Sequence, residues 1–187
     1  MTYIDILLRW NARVNLTAIR DPEEIVTRHF GESLFAARHL FPTTAHVGTA
    51  ALGCPAEQRS ALADLGSGAG FPGIPIKLWA PDIALTLIES NHKKAAFLRE
   101  IARSLTLTDV DIQNTRAETL PPSTFDVVTL RAVERFADIL PVAANLLKPR
   151  GRLALLLGSS QQSFARSALA RLAWNDALPI PESHDRV

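Results

Sequence analysis

The sequence contains one cysteine, Cys54, and no apolar run near the roughly 20 residues that cross a bilayer. A lone cysteine excludes an internal disulfide, and Cys54 has no cysteine or histidine neighbours at zinc-finger spacing, so no metal site is predicted. The lack of a long apolar run excludes an ordinary membrane protein. Because 20 basic residues stand against 19 acidic ones, overall charge does not indicate a nucleic-acid partner either.

The N-terminus lacks the pattern of a signal peptide. Its first ten residues carry Asp5 and Arg9 and have no small-residue cleavage site. We therefore expect a cytoplasmic protein. A length of 187 residues, of which 47% are hydrophobic, predicts one domain with a terminal extension, and we expect a monomer.

Hydrophobic periodicity divides the chain into a helical part and an α/β part. Residues 3–19 have helical spacing at least through Val14, and Asp21 and Pro22 start a second predicted helix that runs to about Leu40. Residues 1–41 are thus a predicted helical extension, and residues 42–60, with prolines, glycines and small residues, a surface loop. The α/β part comprises residues 61–187.

Short apolar runs in the α/β part alternate with helical patterns. Buried strands are predicted at 61–65, 83–88, 110–113, 125–130 and 152–157, and helices at 73–80, 91–105, 134–147 and 161–174. Residues 175–187 are extended at most. This alternation predicts an α/β fold with a doubly wound, Rossmann-like and mostly parallel sheet, joined by right-handed crossovers.

The most informative segment is DLGSGAGFPG at residues 64–73, which leaves the first strand and enters a helix. Its glycines, among them Gly66 and Gly68, let a ligand approach bare backbone around Ser67. The spacing is Gly-x-Gly-x-Gly, and Asp64 precedes it by two residues, where a carboxylate would repel a pyrophosphate. The same carboxylate is able to hold the ammonium of S-adenosylmethionine directly or through water. The loop therefore predicts a site for this methyl donor.

Two further stretches follow at the carboxyl ends of the next strands. Glu89 ends the second strand, where an acid accepts hydrogen bonds from ribose hydroxyls, although it also suits the start of the next helix. After the third strand, backbone N–H groups of Ala117 and Glu118 are placed to contact adenine, with a simple loop acid as the alternative. Both stretches extend the predicted cofactor site.

Arg131 ends the fourth strand at the edge where open α/β sheets bind ligands. We predict that it lies in the active site and has the catalytic role there. The alternative is an ion pair with Glu134 on the next helix.

These residues, together with earlier ones, resemble the glucose-inhibited division protein B family, the small-subunit ribosomal RNA methyltransferase G. The shared motifs are Trp10-Asn11, Asn15-Leu16-Thr17, Arg20-Asp21-Pro22, Arg28-His29, Ser33, residues 64–75, Lys93, Phe97-Leu98 and Arg131-Ala132. The resemblance implies a class I methyltransferase that modifies N7 of a guanine in the decoding-centre loop of 16S ribosomal RNA. It also implies that S-adenosylmethionine contacts Gly66, Phe71, Ala117, Glu118 and Arg131.

The ribosomal RNA or small subunit is then the expected partner. The predicted RNA contacts are Arg13, Asn15, Arg28 and His29, with Arg9 beside them and Trp10 or Phe30 as a candidate stacking face. For Trp10 a place in the core is favoured, and for His29 a structural role competes evenly with RNA contact.

The sequence also departs from the family pattern. Leu157 stands before Gly158 where the family usually has lysine, and Glu32 and Glu89 stand where it commonly has aspartate. The family continues into a last strand where this chain stops, so a sheet edge is expected to be exposed. These departures keep two alternatives open: a small-molecule methyltransferase, and a non-catalytic RNA-binding protein of the same fold.

Overall fold

Five parallel strands form one sheet in the computed structural model, which describes residues 2–42, 59–133, 135–183 and 185–187. The strands are β1 (Ala61–Leu65), β2 (Ala84–Ile88), β3 (Val110–Gln113), β4 (Phe125–Arg131) and β5 (Leu147–Leu156). Their order in the sheet is β3-β2-β1-β4-β5, so strands are added in one direction from β1 to β3 and in the other direction from β4 onward. This confirms the predicted doubly wound fold.

Each face of the sheet carries its own apolar core. Alternate strand residues face opposite sides, so Leu62 and Val127 join one cluster, whereas Ala63 and Val128 join the other. The first cluster packs against α4 (Gly73–Trp79) and α5 (His92–Ser104), and the second against α6 (Phe136–Leu146) and α7 (Ser159–Ala168). Burial on both faces explains why the strands are nearly continuous apolar runs.

The N-terminal helices lie on the first of these faces. Helix α1 (Tyr3–Val14) begins at a capping box of Thr2 and Asp5 and ends at Asn15, which has a left-handed φ of 50°. The second predicted helix has the predicted extent but three parts: α2 (Pro22–Glu24), a π-helical segment (Ile25–Gly31) and α3 (Glu32–Leu40). Tyr3, Ile6 and Leu7 fix the extension to the core.

The last third of the chain differs from the prediction in its boundaries. Strand β5 starts at Leu147, where the helix pattern was expected to end, and it is irregularly paired with the start of β4. Helix α7 stops at Ala168 because the chain turns back, and the Trp174 indole donates to the Leu169 carbonyl at 3.2 Å. Beyond it, the Val187 backbone exchanges hydrogen bonds of 2.8 and 3.0 Å with Leu157. Residues 43–58, which include Cys54 and most of the predicted surface loop, lie outside the described residues.

Candidate functional site

A cavity of about 440 Å³ opens at the carboxyl ends of the central strands, where the strand order reverses. This is where open α/β sheets bind their ligands. Four of the predicted cofactor residues line it: Gly66, Glu89, Ala117 and Glu118. Ala132 and Val133, which directly follow β4, also line it.

The glycine loop at the cavity mouth depends on left-handed backbone. Gly66 has a φ of 68° and Gly68 a φ of 51°. A Cβ on Gly66 would lie 2.9 Å from the Val133 Cγ1 atom, which is too close for real contact. The N–H groups of Gly66 and Ser67 both donate to the Ile88 carbonyl, at 2.9 and 3.2 Å, so the loop is tied to the end of β2.

Glu89 lies at the start of the next helix and also lines the cavity, and its contact with ribose stays a prediction. One carboxylate oxygen accepts from the Gly68 N–H at 2.9 Å, and the other from the Asn91 N–H at 2.8 Å, at the start of α5. Its side chain is 7% exposed and lines the cavity. A carboxylate oxygen has capacity for a second hydrogen bond, so these contacts hold the loop without using up the acceptor.

Asp64 and Ser67 are not among the described residues that line the cavity. The Asp64 carboxylate is 1% exposed, and it accepts from the Thr129 hydroxyl at 2.8 Å and from the Gly73 N–H at 3.3 Å. Burial raises the pKa of Asp64 to about 6, against the lowering effect of these hydrogen bonds. The Ser67 hydroxyl donates to the Asp64 carbonyl at 2.8 Å, so both side chains brace the loop from below.

Phe71 joins the glycine loop to the N-terminal helices. Its ring lies between Tyr3, with a centroid distance of 5.4 Å and parallel planes, and His29, at 4.8 Å and 28°. The Tyr3 hydroxyl also donates to the Ala69 carbonyl at 2.5 Å. Phe71 is only 5% exposed, so its predicted contact with the cofactor stays a prediction.

Arg131 extends its side chain from the end of β4 toward the same helices. Its Nε and Nη2 atoms lie 3.0 and 2.9 Å from the Glu32 Oε2 atom, and Nη2 lies 2.9 Å from the His29 Nδ1 atom. Arg186 also approaches Glu32, with 3.1 Å between its Nε and Oε2. Burial lowers the pKa of the Arg131 guanidinium, and the charge of Glu32 opposes that effect. Glu134, the alternative partner, is outside the described residues.

Comparisons with known proteins show the family and the fold of this chain. The sequence model of the family described as rRNA small subunit methyltransferase G matches residues 1–176. Ribosomal RNA small subunit methyltransferase G of Xylella fastidiosa (strain 9a5c) is 42% identical over 160 residues, which cover 85% of this chain and 68% of that protein. The chain belongs to the rRNA small subunit methyltransferase G family. Its family is therefore one of rRNA methyltransferases, as the sequence motifs predicted.

Solved structures of lower identity share the fold. The ribosomal protein L11 methylase of Lactobacillus delbrueckii subsp. bulgaricus has a TM-score of 0.57 at 17% identity, over 75% of this chain and 65% of that one. M. jannaschii TYW2 in complex with AdoMet has a TM-score of 0.50 at 18% identity, over 58% and 55%. At these identities the likeness shows the Rossmann-like fold alone.

The predicted RNA contacts of this family member separate into exposed and buried groups. Arg13, Asn15 and Arg28 are exposed, and Arg28 pairs with Glu24 at 2.7 Å. His29 is 8% exposed, and both ring nitrogens have protein partners, which favours the structural alternative. RNA contact by all four residues stays a prediction.

Two other positions favour structural readings. Trp10 packs edge-on against Phe97 and donates to Glu100 at 2.9 Å, as its core alternative predicted. Leu157, which replaces the usual lysine, is 5% exposed in the second core cluster. Its side chain therefore fits an apolar environment in this chain.

Sequence reasoning missed three polar side chains that support the site: Thr17, Thr129 and Tyr3. Thr129 left a signal, because it is the polar residue in the apolar part of β4 and stands in register with Asp64. Thr17 belongs to a shared family motif, which did not indicate its contact with His29, and Tyr3 left no signal because it meets Ala69 only through tertiary packing.

Two kinds of feature are missing from residues 2–42, 59–133, 135–183 and 185–187. No helix there is long and apolar enough to cross a membrane. No three side chains of the metal-ligating types cluster there.

Proposed function

We propose that this chain transfers a methyl group from S-adenosylmethionine to N7 of a guanine in the decoding-centre loop of 16S ribosomal RNA, in the cytoplasm and as a monomer. The observation that carries the proposal is the cavity at the strand reversal, which Gly66, Glu89 and Ala117 line together. Family membership supports ribosomal RNA as the substrate class.

The residues of the cavity fit the adenosine half of the cofactor. Glu89 offers carboxylate acceptors for the ribose hydroxyls, beside a glycine loop whose missing side chains leave room for a ligand. Ala117 and Glu118 begin a 3-10 helical turn, and the first N–H groups of such a turn have no helical partner. These N–H groups are suited to the ring nitrogens of adenine.

Asp64 contributes to this site through the loop that it braces. One carboxylate oxygen accepts a hydrogen bond from the Thr129 hydroxyl on β4, and the other accepts from the Gly73 N–H at the end of the loop. We propose that Asp64 fixes the path of residues 66–73, whereas its contact with the ammonium, direct or through water, stays a prediction.

The bound cofactor supplies an electrophilic methyl group on a sulfonium. Guanine N7 carries an in-plane lone pair, so the chain needs no general base and contributes mainly by positioning the reactants and excluding water. Methyl transfer leaves the guanine positively charged, and an unpaired cation beside it would oppose the reaction. Pairing with Glu32 offsets the charge of Arg131, which suits Arg131 to binding and orientation rather than proton donation.

The test is transfer of labelled methyl from S-adenosylmethionine to small ribosomal subunits from cells that lack the native enzyme. We expect labelled 7-methylguanine with the wild-type chain and little with Arg131→Ala. Subunits that already carry the modification are the matched substrate control and should accept no label. Calorimetric binding of the cofactor without transfer to any RNA would contradict the proposal and favour a non-catalytic RNA-binding protein.

A further inference from the structure

The imidazole of His29 occupies the space between the N-terminal helices and the end of β4. Its Nδ1 atom lies 2.9 Å from Nη2 of Arg131, and its Nε2 atom lies 2.7 Å from the Thr17 hydroxyl. The two contacts join residues 12 and 102 positions away in the chain. His29 therefore connects the N-terminal extension directly to the sheet.

The chemistry of the partners fixes the proton on this ring. A guanidinium nitrogen only donates, so the Nδ1 atom of His29 must accept from Arg131. The neutral ring then carries its proton on Nε2 and donates it to Thr17. The Thr17 oxygen also accepts from the Ile19 N–H at 3.1 Å, so the acceptor is itself held in place.

Glu32 alone does not fix the orientation of Arg131. The same carboxylate oxygen, Oε2, lies near both Nε and Nη2, whereas Oε1 has no hydrogen-bond partner in the described structure. A contact through one oxygen works as a pivot, unlike a two-oxygen fork that sets the plane of a guanidinium. The Nη2 atom also lies 3.4 Å from the Arg28 carbonyl oxygen, but its 2.9 Å contact with His29 is the shorter of the two and supplies the second direction.

The ring of His29 is held against rotation by a third contact. It stacks on Phe71 of the glycine loop, with 4.8 Å between ring centroids. A side chain that is bonded at both nitrogens and packed on one face is able to hold another residue in a single geometry.

We propose that His29 is a positioning residue for Arg131, acting as the hydrogen-bond acceptor that sets the plane of the guanidinium at the end of β4. This inference rests on the proposed function for the role of Arg131 in methyl transfer. It replaces the predicted contact between His29 and RNA with a task inside the protein.

Two substitutions of His29 separate its two ring nitrogens. His29→Asn places an amide oxygen near the position of Nδ1 and keeps an acceptor for Arg131, whereas His29→Gln reaches the position of Nε2 and keeps the contact with Thr17. Both variants lose the stacking on Phe71, so each is the matched control of the other. Urea denaturation of both identifies conditions in which each remains folded.

We expect His29→Asn to keep most of the wild-type kcat on small subunits and His29→Gln to lose about tenfold, because a hydrogen bond to a charged group is lost. Calorimetry with S-adenosylhomocysteine should show similar affinities for the two. Equal activity in both variants, whether high or low, would overturn the proposal. An inactive wild-type chain would instead contradict the proposed function.

A second measurement does not depend on activity. Nitrogen-15 NMR of the wild-type chain should show His29 with its proton on Nε2 and a slowly exchanging Nη2–H signal of Arg131, the group that donates to His29. That Arg131 signal should persist in His29→Asn and broaden or disappear in His29→Gln. A proton on Nδ1, or an Arg131 signal that is unchanged in His29→Gln, would overturn the positioning role even if methyl transfer is absent.

Discussion

Arg131 and Glu32 form an ion pair that is almost wholly shielded from water, with 2.9 Å between Nη2 and Oε2 and side chains only 9% and 2% exposed. The pair joins the end of β4 to the first residue of α3. A buried ion pair stabilises a fold little compared with apolar side chains of similar size, but removal of one partner leaves the other charge buried and uncompensated. A single substitution in the pair should therefore have a measurable effect on stability.

Arg131→Met should therefore lower the free energy of unfolding by about 3 kcal/mol, because Glu32 is left in a buried site. The remaining contact with Arg186 keeps the loss at the lower end of the usual range. In Arg131→Met combined with Glu32→Gln, stability should be partly restored while methyl transfer stays low. Urea denaturation measures the first effect. A single variant as stable as wild type would show that the pair is hydrated in solution.

Gly66→Ala should weaken cofactor binding and cost about 1–2 kcal/mol of stability, since the residue has a φ of 68°. The added Cβ would also meet Val133 at 2.9 Å, on the wall of the cavity. Gly31→Ala is the control: it lies in the helical region, and its Cβ would be 3.7 Å from the nearest atom. Calorimetry with S-adenosylhomocysteine should detect a weaker affinity only for Gly66→Ala, and an equal affinity in both variants would contradict the assignment.

The sequence was sufficient to predict the sheet and four of the residues that line the cavity, for local reasons. The first strand has its predicted bounds. Its apolar run predicts a buried strand, and the glycine loop that follows predicts where that strand ends. The start of β5 was predicted five residues too far along the chain, because Pro149 and Gly151 are not typical of a strand and its pairing there is irregular. A local sequence pattern does not predict how a segment pairs with a distant strand.

The side chains around the site were harder to predict than the backbone that carries them. Asp64 was expected to face the methyl donor, but its direction depends on Thr129, 65 residues later. His29 was expected to be as much an RNA contact as a structural residue, and its partner Arg131 lies 102 residues away. The position of a residue along a strand predicts the edge of the sheet at which it lies. The direction of its side chain depends instead on its tertiary partners.

Asp64→Asn should change the pH dependence of stability in a defined direction. The folded pKa of about 6 exceeds the ordinary value of 3.8, mainly through burial, so protonated Asp64 adds stability below the ordinary pKa. That contribution is lost as the pH rises through about 6. The asparagine is always neutral, so the variant should gain about 3 kcal/mol relative to wild type between about pH 4 and pH 7. Urea denaturation across this range tests it, and a difference that does not vary with pH would contradict it.

His29→Gln should have the opposite dependence on pH. Burial and the charges of Arg131 and Arg28 lower the pKa of His29 to about 3. The folded pKa lies below the ordinary value of 6.5, so the neutral ring contributes stability above that value, and this is lost as the pH falls toward 3. The cost of the substitution should therefore shrink with acidification. A cost that stays constant between about pH 7 and pH 5 would show that the ring is solvated.

Arg28→Ala should weaken binding to small ribosomal subunits with little effect on kcat. The guanidinium is 49% exposed beside Glu24, and such exposed ion pairs contribute little to stability, so it remains able to contact phosphate. Loss of one phosphate contact should raise KM and reduce the slope of log affinity against log salt by about 1. Arg59→Ala is the matched control, because Arg59 is 42% exposed in a pair with Asp109. It lies just before β1, at the amino ends of the strands and thus away from the cavity. Identical salt slopes for the two variants would remove Arg28 from the RNA surface and shift the search to Arg13 and its neighbours on α1.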